Sequence, residues 1–290
     1  MFDVLSLVLV YTFVFGSLYL GMALGFTIIS GVLRIFHLAY GALFLITAYG
    51  TWFFWKDAGM QFELAILLAF VLVAIFAIIV YRFVMKPFIE LEDYLLAALI
   101  SVFIIVEEVI NYLYPEVVGV YLPTAIVKET VKVGAANVPG QLLITAFVSI
   151  AMVVIYLIFF VKTKQGLIMR AISQDIFASK LVGVNFDRMY ATAMIVASIP
   201  PGVIILLISP VWALNPFIGW SLFTYAILVT VLGGLGNLKG SIMAAYIIGF
   251  IHAVVGFAID PRMMLLTSLV VVILVLSFRP KGLARAETIW

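Results

Sequence analysis

Apolar runs too long and too continuous for a soluble fold dominate this chain. They cover residues 5–33, 38–55, 64–81, 94–114, 142–161, 190–214, 222–232, 241–259 and 263–278. A helix crosses the hydrocarbon core of a bilayer with about 20 mostly apolar residues. Only helices or closed barrels satisfy every backbone polar group there. Barrel strands alternate lipid-facing and lumen-facing residues, and these runs do not alternate. With 66% hydrophobic and 10% charged residues, the chain is also far from the roughly one-quarter charged composition of soluble domains. The expected fold is all-α: a polytopic helical membrane protein forming a single transmembrane domain over 1–290, with about nine spans and a range of eight to ten.

Composition excludes several function classes. A net charge of +2 is too small for nucleic-acid binding. The chain has no cysteine, which removes disulfides, thiol chemistry and cysteine metal sites. His37 and His252 are far apart, and neither has a partner at ligand spacing; each reads as a packed or hydrogen-bonded histidine. No nucleophile constellation, metal motif or cofactor site stands out, so the chain reads as a non-enzyme. The N-terminus lacks a basic n-region and a small-residue cleavage site, so Met1 onward reads as a first helix rather than a cleaved signal. Gly16, Gly21, Gly25 and Gly31 recur along that helix, the small-residue spacing that lets membrane helices approach closely.

Basic residues favour the cytoplasmic side of short loops. With 162–188 placed inside, Arg34, Arg82, Lys86, Lys239, Arg279, Lys281 and Arg285 also fall inside. Lys56, Lys128, Lys132 and Arg262 fall outside, each with an acidic residue close by. The N-terminus and the polar loop 115–139 are then external. Within that loop, 117–121 and 125–133 read as short strands or an amphipathic turn. Pro200-Pro201 and Pro210 are expected to interrupt the sixth apolar block.

The polar stretch 162–188 is the exception in an apolar chain. Ser173, followed by Gln174 and Asp175, reads as a helix start, with the serine capping and the aspartate meeting the dipole. Gly183 suits the left-handed position after the helix. A short helix over about 174–182 follows, with Phe177, Leu181 and Val184 on one face and Ala178 adjacent. It could lie on the bilayer surface or dock its apolar face into a soluble partner.

Two further clusters are candidates for a translocation path. Glu107, Glu108 and Asn111 fall inside the fourth apolar block, where a charge at mid-bilayer costs about 2.5–3.5 kcal/mol on insertion scales. Either the span ends early and the carboxylates are wetted, or one of them faces a path where it meets a substrate ammonium group. Gly233, Gly234, Gly236 and Asn237 form either a tight turn or a helix break of the kind that lines transporter pathways. No Lys-Ser/Thr follows at phosphate-loop spacing, so this glycine cluster does not bind ATP.

GLIMRAISQDIFASKLVGVNFDRM resembles the cytoplasmic coupling segment of permeases in the branched-chain amino acid ABC importer family. The matching positions are Gly166, Arg170, Ala171, Asp175, Ala178 and Gly183. GFTIISGVLRIFHLAYGALFLITAY (25–49), VLGGLGNLKGSIMAAYIIGFI (231–251) and the ending FRPKGL are similar to other signatures of that family, in the same order. Pro200-Pro201, Glu107-Glu108 and the absence of a basic residue near Trp220 depart from it. The resemblance implies a permease subunit that binds no cofactor itself and relies on partner subunits for ATP hydrolysis. It further implies two cytoplasmic ABC ATPases, a second permease or a copy of this chain, an external solute-binding protein docking on 115–139, and an amino-acid-like substrate crossing the cell membrane. The rival reading is a self-sufficient secondary transporter or channel using Glu107 and Glu108.

Overall fold

A computed structural model describes residues 2–115, 121–175, 179, 181 and 183–284. The helices are α1 (Phe2–Val32), α2 (Tyr40–Trp52), α3 (Phe62–Ile79), α4 (Glu92–Leu113), α5 (Gly140–Lys162), α6 (Lys164–Gln174), α7 (Phe186–Ile208), α8 (Ile218–Gly233), α9 (Leu238–Ala258) and α10 (Met264–Phe278). Each of the nine apolar blocks carries a helix, and α6 lies between the fifth and sixth of them. Six helical stretches are long and apolar enough to cross a membrane: Val4–Val32, Phe62–Phe88, Gly140–Lys162, Phe186–Ile208, Leu238–Ala258 and Pro261–Phe278. α2, at 13 residues, and α8, at 16, are shorter than the ~20 residues a full crossing needs. α4 has 22 residues but carries four carboxylates.

α1 is the central helix, packed against α9, α7, α5 and α8. Its small residues make this possible. A β-carbon on Gly16 would lie 2.5 Å from the Tyr246 ring, and one on Gly25 would lie 2.1 Å from the Ala197 carbonyl oxygen. Short polar side chains cross-link the same surfaces, as expected where lipid gives helices little hydrophobic reason to associate. Thr27 Oγ1 lies 3.1 Å from Thr230 Oγ1 and 3.0 Å from Ser241 Oγ. Ser17 Oγ meets the Tyr246 hydroxyl at 3.0 Å, and the Tyr19 hydroxyl lies 2.6 Å from His252 Nδ1. His252 is therefore hydrogen-bonded, as expected. His37 is fully buried, and neither ring nitrogen has a partner.

Several boundaries differ from the sequence expectation. α7 runs through Pro200 and Pro201 without a break. Proline removes the N–H that would reach the carbonyl four residues back, which here frees Val196 and Ala197. The Tyr156 hydroxyl of α5 donates to the Val196 carbonyl at 2.5 Å, and the Ala197 carbonyl packs against Gly25. The helix instead ends at Ile208, two residues before Pro210.

α3 continues past Arg82 as a π-helical stretch, Val80–Met85, and a further turn, Lys86–Phe88. In the polar loop between α4 and α5 the strands are β1 (Thr130–Val133) and β2 (Ala136–Pro139), antiparallel with Val131 opposite Val138. The expected strand at 125–133 is confined to its last four residues and pairs with a strand not foreseen. The one expected at 117–121 lies almost wholly outside the described residues. Gln141 anchors this loop: its Oε1 accepts from Ile126 N at 2.9 Å, and its Nε2 donates to the Leu207 carbonyl at 2.8 Å.

Candidate coupling segment and translocation path

The stretch 162–188 carries a helix, α6, ahead of the one expected over 174–182, which lies largely outside the described residues. Thr163 is the N-cap of α6, with Oγ1 accepting from Gly166 N at 3.0 Å. The signal was present in the sequence, since threonine is a preferred cap, but it stood at the end of an apolar block. Ser173 is not a cap. It lies inside α6, donating to the Arg170 carbonyl at 2.7 Å, and Asp175 follows in extended conformation. The Asp175 carbonyl then accepts from Ser179 N at 3.1 Å, as in a new helical turn.

Gly166 is buried where α6 turns off α5; a β-carbon there would lie 2.5 Å from the Phe159 carbonyl oxygen. Arg170 is half-buried and Ala171 exposed, the Ala171 carbonyl accepting from Asp175 N. Gly183 has φ 78°, the left-handed conformation expected of it, with nothing near its α-carbon to obstruct a side chain. Phe177 and Ala178 lie outside the described residues. Leu181 is 74% exposed and Leu167 58% exposed, so the segment presents bare aliphatic surface beside its charges.

The segment is tied to other elements at two points. Midway along it, where α6 ends, Arg34 Nη2 donates to the Ser173 carbonyl at 2.5 Å and the Gln174 carbonyl at 3.4 Å. At its end, Asp187 Oδ2 accepts from Lys86 Nζ at 2.5 Å, and Oδ1 accepts from the Tyr81 hydroxyl at 3.0 Å. None of these pairings was read from the sequence, because each joins residues about a hundred or more positions apart.

α4 stays helical through Glu107 and Glu108 and separates them. Leu95, Leu99, Phe103, Glu107 and Ile110 form its buried stripe, so Glu107 continues an apolar face into the bundle. Glu107 is 6% exposed. The Trp220 side chain faces its carboxylate, while Oε2 has no partner. Glu108 is exposed, and Asn111 Nδ2 donates to it at 3.4 Å. Glu107 therefore separates from the other two residues of its cluster. Phe103 lies beside it, 4.5 Å between ring centroids from Trp220 and 5.9 Å from Phe223.

The glycine cluster joins α8 to α9. Gly233 ends α8, Gly234 and Gly236 have φ 102° and 75°, and Asn237 caps α9 by accepting from Gly240 N at 2.9 Å. The chain's ending folds back onto this turn, with Leu283 N donating to the Leu232 carbonyl and Ala284 N to the Gly233 carbonyl. A β-carbon on Gly236 would lie 2.4 Å from the α-carbon of Gly31. The turn thus touches α1 just before its own end, and Arg34, Leu235 and Gly236 share the wall of a cavity of about 650 Å³.

The family model described as "Branched-chain amino acid transport system / permease component" matches residues 8–276. The high-affinity branched-chain amino acid transport system permease protein LivH of Salmonella typhimurium is 24% identical over 289 residues, covering 92% of this chain and 91% of that protein. LivH of Escherichia coli K12 is 28% identical over 127 residues, covering 43% of this chain and 41% of that protein. BraD of Pseudomonas aeruginosa is 25% identical over 127 residues, with the same two coverages. Among solved structures, PsaBC from Streptococcus pneumoniae in complex with Fab aligns with a TM-score of 0.49 at 16% identity, over 95% of this chain and 92% of that one. The match spans nearly all of the apolar helices and the segment between α5 and α7, and the chain belongs to the family of branched-chain amino acid transport system permease components.

Proposed function

We propose that this chain is the membrane permease subunit of an ATP-driven ABC importer for branched-chain amino acids or related solutes. In this reading nine helices are arranged across the bilayer with the N-terminus outside, α2 and α8 being held within the bundle. The segment 162–188 and the C-terminus face the cytoplasm, where two ATPase subunits dock on 162–188. A second permease, or a copy of this chain, completes the path. A solute-binding protein delivers substrate to the external loop, where Lys128 and Lys132 are exposed to pair with its acidic residues. The chain holds no cofactor, and ATP is hydrolysed by the partner subunits.

The observation that carries this reading is the segment 162–188, with Leu167 exposed on α6 and Leu181 exposed beyond it, tied to Arg34 after α1 at the end of α6 and to Lys86 after α3 at Asp187. Leu167 and Leu181, exposed beside the charges of this segment, suit a surface that a partner covers. Two anchors to membrane helices make it a lever rather than a tether. Substrate assignment follows the relatives' names and the inward carboxylate of Glu107, which suits a ligand ammonium group. The test is co-purification. When the tagged chain is expressed with its genomic neighbours, ATPase subunits should elute with it in stoichiometric amount. Elution of the chain without any ATP-hydrolysing partner would refute the proposal.

A further inference from the structure

Arg34 has φ 56° and is the only non-glycine residue at positive φ among the described residues. It follows the end of α1, a position that glycine or asparagine usually takes because a β-carbon is disfavoured there. Non-glycine residues persist in such conformations where their surroundings over-determine them. Here the surroundings are the last carbonyls of α6. Ser173 and Gln174 end that helix, and their carbonyl groups have no partner within it. The guanidinium donates to both, at the negative end of the helix dipole. A planar fork with several donors suits two adjacent carbonyls as a lysine ammonium does not.

Two helix breaks meet beside this arginine. Residues 33–39 separate α1 from α2, and residues 234–237 separate α8 from α9. Gly236 packs on Gly31 with no room for a β-carbon, so the second break touches the last turn of α1, just before the first, backbone to backbone. Both breaks line the 650 Å³ cavity, together with Ser173 at the end of α6, Glu92, Leu95 and Leu96 of α4 and Tyr190 of α7. Arg34 lines that cavity and also grips α6.

We propose that Arg34 is the positioning residue that links the coupling segment to both helix breaks, so that displacement of α6 opens or closes the cavity between them. This rests on the permease reading above and adds to it the route by which the lever reaches the path. Packed interfaces of this kind switch between discrete arrangements rather than deform continuously. A rigid contact at Gly31–Gly236 and a charged grip at Arg34–Ser173 therefore turn a movement of α6 into a change at the cavity wall.

The chain has no cysteine, so labelling of Leu96→Cys in the complete transporter, read on this chain after it is separated from its partner subunits, reports on the cavity. The rate with a polar maleimide is compared without nucleotide and with ATP plus vanadate. With Arg34 intact, the rate should differ several-fold between the two states. In Arg34→Gly, which accepts φ 56° without strain, and in Arg34→Asn, the two rates should converge while ATP hydrolysis persists. Arg34→Lys should keep part of the difference. A nucleotide-dependent difference that survives in Arg34→Gly overturns the proposal, as does a wild-type cavity whose labelling ignores nucleotide. Either result leaves the permease reading standing if ATP-dependent uptake is intact. Loss of the ATPase partners from the Arg34-intact transporter would be a failure of that reading instead.

Discussion

A β-carbon on Gly25 would lie 2.1 Å from the carbonyl oxygen of Ala197, so α1 and α7 meet backbone to backbone at the centre of the bundle. The contact explains two features of the sequence together. Glycine at 25 permits the approach. The Ala197 carbonyl is available because Pro201 has no N–H to bond it.

Gly25→Ala should destabilise the protein by about 1–3 kcal/mol, the usual cost of overpacking a filled interior. Gly50→Ala is the control, since its nearest neighbour, Leu72 Cδ2, lies at 3.3 Å and is the end of a flexible side chain. Thermal unfolding in detergent, followed by gel filtration, should rank Gly25→Ala well below Gly50→Ala. Equal stability would mean that α1 and α7 are not in this close contact.

Tyr156→Phe should cost about 1 kcal/mol by leaving the Val196 carbonyl without its donor, within the range for a buried unsatisfied group. Pro200→Ala returns an N–H to position 200, four residues on, and should offset that loss. A double-mutant cycle therefore measures a coupling between positions 156 and 200. Additive effects would show that the tyrosine does not stand in for the missing backbone bond.

The helical membrane architecture was legible at the scale of apolar blocks, each of which carries a helix, but six helical stretches rather than nine have the length and apolarity of a full crossing. The continuity of α7 was not, since what rescues its proline pair is a tyrosine on α5, 40 residues from the carbonyl it bonds. The separation of Glu107 from Glu108 follows from helical periodicity once the buried stripe is known. α6 itself was not read from the sequence because its cap, Thr163, stands at the end of an apolar block, while Ser173-Gln174-Asp175, with its good capping chemistry, lies at the other end of that helix. Arg34 was visible only as one of the basic residues assigned to the inner side and as part of the stretch 25–49. Its partners are carbonyl groups, which no side-chain pattern announces.

Glu107→Gln should reduce transport far more than Glu108→Gln. Glu107 is buried against Trp220, whereas Glu108 is exposed. Removing the inward charge removes the group that would meet a substrate ammonium, and the outward change is made where water or headgroups solvate it. Uptake assays on both variants, at matched membrane expression, separate the two roles. Equal loss in both, or in neither, would take Glu107 out of the path.

Leu181→Asp and Arg170→Glu should leave the permease folded and strip it of its ATPase partner, because both change the segment without altering a membrane helix. Gel filtration checks the fold, and ATP hydrolysis in the eluate checks the partner. Retention of full ATPase activity by both variants would place the docking surface elsewhere.

Proteoliposome uptake tests the central claim most directly. The purified transporter, with its ATPase subunits, binding protein and enclosed ATP, should accumulate a branched-chain or related amino acid, and the chain alone should accumulate none under a proton or sodium gradient. Ion-driven uptake by the lone chain would contradict the account and return Glu107 to the role of a coupling-ion site.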